Sequence, residues 1–371
     1  MIAYMSRDLC FREKVAIALF VALATCALAE PEAKQAEAIA ASALWSATSR
    51  PVVDAEERTF QSGTVTLNGT LYVPKIDRRV PAVIAFHAAS SPTRDNPLYA
   101  HLIEMLPPLG IAVFVFDRRG SGKSGGKLAG SDYTMLSDDG ISAQRMLAQD
   151  HRIDPRKIGF WGLSQGGWLS LLAASRSPQA AFAISISAPM TTPDVQMNFA
   201  VANILRIKGF PQSDIDQAIA ARSAVDDFQR GKRDRASAQS ILDAATTKPW
   251  FVHTYLEKTF KDPDQSGWAK EMRHDPMTTL DAVKQPAIVI YGSADPWVPV
   301  QTSLDRLRAS SARHPNVEVA VIDGADHAMA TSVSTADQID PVTSARAAPQ
   351  SAVYFGMLGA WLARQGLARI P

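Results

Sequence analysis

Residues 157–172 read KIGFWGLSQGGWLSLL, and this stretch decides the fold that the sequence predicts. An apolar run of strand length enters a Gly-x-Ser-x-Gly motif and continues into a helical run, which is the context of a nucleophile elbow. Ser164 at its tip needs a strained backbone, so Gly162 and Gly166 are expected to remove colliding side-chain atoms. Gly167 is expected to let the following helix pack close to the sheet. The sequence therefore predicts that Ser164 is a nucleophile.

Apolar segments of strand length alternate with helical patterns along most of the chain. Continuous Val, Ile and Phe runs separated by helices are typical of a largely parallel sheet that is covered on both faces. Ligands bind such sheets at the carboxyl ends of the strands. Asn68-Gly69 between two β-rich runs also predicts a hairpin with its turn at these two residues. Strands are predicted at 82–86, 111–116, 158–162, 182–187, 287–291 and 317–322, and helices at 98–106, 135–149, 167–175, 300–310 and 351–364.

Residues 189–285 depart from this alternation, because they contain helical stretches and no convincing buried strand. Ile215, Ala218, Ile219 and Val225 lie on one helical stripe, which predicts a helical cap inserted over the strand ends. Aromatic residues of this insertion either line an apolar substrate pocket or form the core of the cap. The catalytic domain is then expected to comprise residues 57–188 and 286–371.

The first 29 residues have the pattern of a secretory signal peptide. Basic residues precede an apolar run at 15–28, and a small-x-small site follows before Glu30. Cleavage would remove both cysteines, Cys10 and Cys26, and leave a lead segment at 30–56 before the catalytic domain. We therefore expect a periplasmic or secreted protein with no stable membrane span. Residues 23–26 also resemble a lipoprotein box with Thr25 at an unusual position, so a lipid anchor at Cys26 is the alternative.

Charge and motif content exclude several classes of partner. Without the predicted leader the formal charge is near zero, which argues against nucleic acid or an anionic membrane as the main partner. Gly122-Lys123-Ser124 mimics the end of a phosphate-binding loop, but the full pattern needs Gly where this chain has Asp117. No helix carries His and carboxylates at metal-ligand spacing. The sequence predicts neither a metal nor an organic cofactor.

A serine nucleophile needs a base to take its proton and an acid to orient that base. Asp295 follows the strand predicted at 287–291, and His327 follows the strand predicted at 317–322. His314 precedes this last strand and is expected at the opposite edge of the sheet. Asp323 and Asp326 are alternative acids, but a residue on a separate strand end approaches the imidazole more easily. His327 is therefore the predicted base and Asp295 the predicted acid.

Attack on a carbonyl also requires hydrogen-bond donors for the developing oxyanion. The backbone N–H of Gln165, directly after the nucleophile, is the first predicted donor. The second is expected from the loop after the strand at 82–86, with Ala89 as first choice and Ala88 as second. His87 in the same loop is expected to brace the loop by a hydrogen bond.

These motifs together resemble the α/β-hydrolase superfamily, within the esterases related to the catalytic domains of prolyl-oligopeptidase-like enzymes. The resemblance is carried by residues 162–167 (GLSQGG), Asp295, His327 and residues 116–126 (FDRRGSGKSGG), and it covers roughly 57–188 and 286–371. It implies an α/β-hydrolase fold with an inserted helical cap. Two departures are His87-Ala88-Ala89 in place of His-Gly-Gly, and the lack of room for a propeller, which counts against a peptidase.

The resulting hypothesis is a serine hydrolase that cleaves a small-molecule carboxylic ester through an acyl-enzyme. Amide, peptide and thioester hydrolysis use the same machinery and remain alternatives. A secreted binding protein that keeps the fold without the activity is a further alternative, since fold does not guarantee function. Acyl chain length, physiological substrate and oligomeric state are left open by the sequence.

Overall fold

The computed structural model describes residues 53–344 and 346–368. The predicted signal peptide, the lipid-anchor position and most of the lead segment lie outside these ranges. The strands are β1 Val53–Ser62, β2 Val65–Pro74, β3 Val80–Phe86, β4 Ala112–Phe116, β5 Ile153–Leu163, β6 Ala183–Ile186, β7 Ala287–Gly292 and β8 Val317–Ile322. The α-helices are α1 Ala100–Met105, α2 Tyr133–Leu147, α3 Gln165–Arg176, α4 Pro193–Ile207, α5 Gln212–Gln229, α6 Arg235–Thr246, α7 Gly267–Glu271, α8 Pro276–Ala282, α9 Val300–Ser310, α10 Thr335–Gln338, α11 Pro341–Ser344 and α12 Ala352–Arg364.

The eight strands form one mostly parallel sheet in the order β1-β2-β4-β3-β5-β6-β7-β8. The first hairpin is antiparallel and β2 pairs antiparallel with β4, whereas every later pairing is parallel. Parallel strands all end at the same edge of a sheet, which brings together the loops after β3, β5, β7 and β8. The predicted α/β architecture is confirmed.

The predicted turn of the first hairpin is wrong. Asn68 and Gly69 lie inside β2 and pair with β1, and the chain reverses at Gly63 and Thr64 instead. Gly63 has φ +60°, which suits the tight turn. A Cβ atom on Gly69 would lie 2.4 Å from the ring of Phe114 on β4. Gly69 is therefore explained by the close approach of another strand, which a local turn motif does not reveal.

Alternate residues of the central strands enter two separate apolar layers, one on each face of the sheet. In β4, Phe114 and Phe116 belong to the layer beneath α2, α3 and α9, whereas Val113 and Val115 belong to the layer beneath α1 and α12. The same alternation occurs in β3. Because both faces are buried, the strands are apolar throughout, as the sequence pattern indicated.

Helices α4–α7 and a short 3-10 helix at Pro249–His253 form a helical insertion between β6 and β7, whereas α8 contributes Met277 and Leu280 to the apolar layer beneath α3. The insertion has its own apolar cluster, in which Ile215, Ala218 and Val225 of α5 are buried. Trp250 and Phe251 are buried in this cluster as well. Phe210 and Phe260 pack against the same cluster, so these four aromatic residues of the insertion form part of the core of the cap.

Candidate active site

Ser164 occupies the tight turn between β5 and α3. Its backbone has φ 58° and ψ −121°, a strained conformation for a residue with a side chain. The Ser164 N–H donates to the carbonyl of Ile186 at 2.7 Å, which ties the turn to β6. A Cβ atom on Gly162 would lie only 1.9 Å from the carbonyl oxygen of Gly166. The glycines of the motif thus have the steric role that the sequence predicts.

Two glycines let the start of α3 pack against its neighbours. A Cβ atom on Gly166 would lie 2.8 Å from the carbonyl oxygen of Phe86 at the end of β3. A Cβ atom on Gly167 would lie 2.7 Å from the Cβ atom of Ala188, just after β6. The amino end of α3 therefore meets the loop that follows β3, where the second oxyanion donor is predicted.

The structure brings the predicted base and acid into direct contact. His327 Nδ1 lies 2.7 Å from Asp295 Oδ2, and the Asp295 side chain is completely buried. Asp295 Oδ1 accepts from the N–H groups of Trp297 at 2.8 Å and Val298 at 3.1 Å. Burial of the imidazole opposes its protonation, but the charge and hydrogen bond of Asp295 and the charge of Asp326 outweigh it. The pKa of His327 is therefore raised above 6.5.

The two alternative carboxylates make other contacts. Asp326 Oδ1 accepts from the N–H groups of Ala328 and Ala330, both at 2.8 Å, and so braces the loop that carries the imidazole. Asp323 accepts from the hydroxyl of Ser293 at 3.0 Å. Neither carboxylate replaces Asp295 as the hydrogen-bond partner of the ring.

The cap helps to hold the loop that contains Asp295. Gln196 of α4 donates to the carbonyl of Trp297 at 2.9 Å, and Asn203 of α4 donates to the carbonyl of Pro296 at 2.9 Å. The position of the predicted acid therefore depends on α4 as well as on β7.

Ser164, Asp295 and His327 follow β5, β7 and β8, so all three lie at the carboxyl edge of the sheet. Among the described residues, no hydrogen bond joins the Ser164 hydroxyl to the His327 ring in this structure. His314 lies at the opposite end of β8, where its Nε2 is 3.1 Å from Asp281 Oδ1. The predicted location of His314 is confirmed.

The loop after β3 presents backbone N–H groups beside the elbow. In the part of the chain that the structure describes, the N–H groups of Gln165 and Ala89 donate to no backbone acceptor, whereas the N–H of Ala88 interacts with the hydroxyl of Tyr99. Ala88 is buried and Ala89 is exposed. His87 Nε2 contacts the carbonyl of Phe116 at 2.5 Å and braces this loop against β4, as the sequence predicts.

A polar chain next to Ser164 combines residues to which the sequence assigned no role. Arg118 Nη1 donates to the side-chain oxygen of Gln165 at 3.5 Å, and Gln165 Nε2 donates to the hydroxyl of Tyr133 at 3.5 Å. The Tyr133 hydroxyl in turn donates to Glu271 of α7 at 3.5 Å. The sequence places Arg118 in a loop at a strand end, which could have indicated that it lies near the site. No neighbouring sequence pattern links Tyr133 or Glu271 to the site.

Two kinds of site are absent from residues 53–344 and 346–368. No three His, Cys, Asp or Glu side chains are grouped so that they could hold a metal ion. No helix in these ranges combines the length and the apolar character that crossing a membrane requires.

The family model Hydrolase_4, described as serine aminopeptidase, S33, matches residues 95–332. The chain belongs to this family. The match spans most of the sheet and the whole cap, together with Ser164, Asp295 and His327. This member of the serine aminopeptidase S33 family is therefore a hydrolase with the α/β-hydrolase fold, as the resemblance implied.

Individual relatives of this S33 family member are distant. The monoacylglycerol lipase of Mycolicibacterium smegmatis is 23% identical over 296 residues, which cover 76% of this chain and 93% of the lipase. The Pyrococcus furiosus esterase Pf2001 has a TM-score of 0.52 at 17% identity, with 84% of this chain and 91% of the esterase covered. The acylaminoacyl peptidase of Pyrococcus horikoshii also gives 0.52, at 14% identity, over 84% of this chain and 42% of the peptidase. These structural similarities show the α/β-hydrolase fold.

Proposed function

We propose that this protein hydrolyses carboxylic esters with Ser164 as nucleophile, His327 as general base and Asp295 as the acid that orients it. The observation that carries the proposal is the 2.7 Å contact between His327 Nδ1 and the buried Asp295 carboxylate, at the sheet edge that also bears the strained Ser164. A carboxylate on Nδ1 holds the proton on that nitrogen. Nε2 then keeps the lone pair that a general base needs.

The proposed reaction has two acyl-transfer steps. His327 Nε2 takes the proton of Ser164 as the hydroxyl oxygen attacks the ester carbonyl, and the alcohol leaves with that proton to form an acyl-enzyme. Water then attacks the acyl group while the same imidazole takes its proton, and the carboxylic acid is released. The N–H groups of Gln165 and Ala89, or Ala88 in its place, stabilise the oxyanion in both steps.

The contact with the buried Asp295 explains why this imidazole suits the role. An imidazole pKa above 6.5 gives a base that is strong enough to accept the serine proton near neutral pH. Asp295 is already paired with two backbone N–H groups, so it stays fixed as the imidazolium forms. The fixed carboxylate stabilises the positive charge without reorganisation.

The family description and the lipase relative favour different bonds. An amide or peptide bond is the second candidate because the matching family is described as a serine aminopeptidase. The relation to a monoacylglycerol lipase favours an ester, and thioesters use the same chemistry. We also propose export to the periplasm or medium, on the evidence of the signal-peptide pattern at residues 1–29.

Labelling with a fluorophosphonate probe tests the nucleophile. We expect the wild type to be labelled and Ser164→Ala to be unlabelled, with its ester hydrolysis reduced at least about a thousandfold. Ser240→Ala, which changes an exposed serine of α6, is the matched control and should retain both properties. Folded wild type that is neither labelled nor active on esters, amides or thioesters would favour the binding-protein alternative. A Ser164→Ala protein with full esterase activity would contradict the proposal.

A further inference from the structure

Arg118 is a buried guanidinium beside the predicted oxyanion donors. It follows β4, and only 6% of its surface is exposed. Its Nη1 atom donates to the carbonyl of Ala89 at 3.3 Å and to the side-chain oxygen of Gln165 at 3.5 Å. The charged group thus touches the residue after Ser164 and the loop after β3.

The adjacent arginine shows how a buried guanidinium is usually satisfied in a protein. Arg119 is equally buried, and its Nε donates to Asp139 Oδ2 at 2.8 Å while its Nη2 lies 2.5 Å from Asp139 Oδ1. Among the described residues Arg118 has no such ion pair, and its buried Nε has no hydrogen-bond partner. Burial of an unpaired cation costs several kcal/mol, so the absence of a carboxylate at Arg118 requires an explanation.

Glu271 of the cap is the acidic residue whose charge reaches Arg118, but it is a weak counter-ion. Its carboxylate contacts the Tyr133 hydroxyl at 3.5 Å and does not form an ion pair with Arg118. Burial raises the pKa of Glu271, although Tyr133 and Arg118 oppose this change. Burial also lowers the pKa of Arg118, and the nearby Tyr99 and Glu271 offset only part of that effect. Arg118 and Glu271 therefore interact electrostatically but do not form an ion pair at contact distance.

We infer that Arg118 binds a carboxylate of the substrate, so that the preferred ester is an anionic half-ester with its carboxylate a few bonds from the scissile carbonyl. A guanidinium offers parallel N–H donors that match a carboxylate, and within the described ranges the Nε–H of Arg118 has no partner. Contact with Gln165 places this group beside the residue that directly follows Ser164. The inference rests on the proposed ester hydrolysis at Ser164, and it extends it to a substrate class.

Two matched pairs of esters test the inference. Monoethyl succinate and its neutral isostere ethyl isocaproate place the variable group on the acyl side. Acetoxyacetate and its isostere isobutyl acetate place it on the alcohol side. We expect the wild type to have a higher kcat/KM for the anionic member of one pair, which identifies the side. In Arg118→Met the ratio of anionic to neutral kcat/KM should fall about 10- to 100-fold, the range for losing a charge-assisted hydrogen bond.

Two further variants sharpen the experiment. Glu271→Gln removes the competing carboxylate, so the same ratio should rise in that variant. Arg156→Met replaces an arginine whose side chain is 88% exposed and should leave both activities unchanged. If Arg118→Met does not fold, Arg118→Lys replaces it. A second measurement needs no variant: succinate and succinamide are compared for their ability to protect wild-type Ser164 from the fluorophosphonate. We expect succinate to protect better than succinamide.

The outcomes separate the two proposals. Suppose that neutral esters are hydrolysed only when Ser164 is present, and that Arg118→Met leaves the anionic-to-neutral ratio of kcat/KM unchanged. This result would overturn the carboxylate inference and leave the proposed function standing. Equal losses on both members of a pair would show that Arg118 only positions the Ala89 loop. Equal protection by succinate and succinamide would also contradict carboxylate binding. A wild type without labelling or ester hydrolysis would instead contradict the proposed function itself.

Discussion

His327 experiences opposing influences that decide how it can act. Burial disfavours the imidazolium, whereas the buried Asp295 carboxylate and the nearby Asp326 favour it. The second influence is the larger, and the pKa of the ring is raised above 6.5. At the scale of one residue, the structure therefore predicts that the proposed base protonates more readily than an ordinary imidazole.

The pH dependence of catalysis follows from this raised pKa. A protonated imidazole cannot accept the proton of Ser164, so kcat/KM should fall as the pH drops, with a midpoint above 6.5. The measurement is kcat/KM for a neutral ester between about pH 5 and 9, with an NMR titration of the His327 ring in Ser164→Ala. A midpoint below 6.5 in both experiments would contradict the electrostatic role assigned to Asp295.

At the scale of elements, a buried chain of hydrogen bonds joins β5, α1 and α12. Trp161 Nε1 donates to the Tyr354 hydroxyl at 3.0 Å, and the Tyr354 hydroxyl lies 3.1 Å from His101 Nε2. His101 Nδ1 lies 2.8 Å from the carbonyl of Leu98. These contacts fit a neutral His101 that donates from Nδ1 and accepts at Nε2.

Removal of the central hydroxyl should destabilise the fold. Tyr354→Phe leaves the Trp161 donor and the His101 acceptor buried without a partner, which should lower the free energy of unfolding by about 2 to 4 kcal/mol. Urea denaturation of the variant and the wild type measures the difference. Tyr255→Phe, at a tyrosine that is 57% exposed, is the control and should change stability by less than about 0.5 kcal/mol. Equal midpoints for Tyr354→Phe and the wild type would show that the hydroxyl is energetically unimportant.

At the scale of the whole molecule, buried neutral histidines link stability to pH. Burial lowers the pKa of His87 and of His101 to about 3, and that of His274 to about 4. In the unfolded chain these rings protonate near pH 6.5. Between those values the unfolded state binds more protons, so stability falls as the pH is lowered. His327 affects stability at higher pH. Because its pKa is raised in the folded state, its stabilising contribution to the free energy of unfolding is complete below about pH 6.5 and is lost as the pH rises.

His101→Gln isolates one of these contributions. Between about pH 7 and 4.5 the wild type should lose about 2 kcal/mol more unfolding free energy than this variant, because Gln cannot bind the proton. Urea denaturation at the two pH values measures the difference. His151→Gln, at a histidine whose side chain is 89% exposed, should behave like the wild type. The same loss in wild type and His101→Gln would exclude His101 as a source of acid sensitivity.

The sequence by itself determined the parts of this protein that depend on neighbouring residues along the chain. The GLSQGG motif at 162–167 predicted the elbow because its strain and its relief by glycine are local. Apolar runs predicted the buried strands, and their order put Asp295 and His327 at strand ends on the same edge as Ser164. The assignment of these residues to catalysis remains a prediction that the labelling experiment tests.

Only the tertiary structure decided which partners meet across long separations in sequence. It moved the hairpin turn to Gly63 because Gly69 lies against β4. It also distinguished two adjacent arginines: Arg119 forms an ion pair with Asp139, whereas Arg118 contacts the polar chain beside Ser164 and has no carboxylate at contact distance among the residues that the structure describes. Burial and ion pairing depend on the packing of distant segments, and no local pattern distinguishes the two side chains.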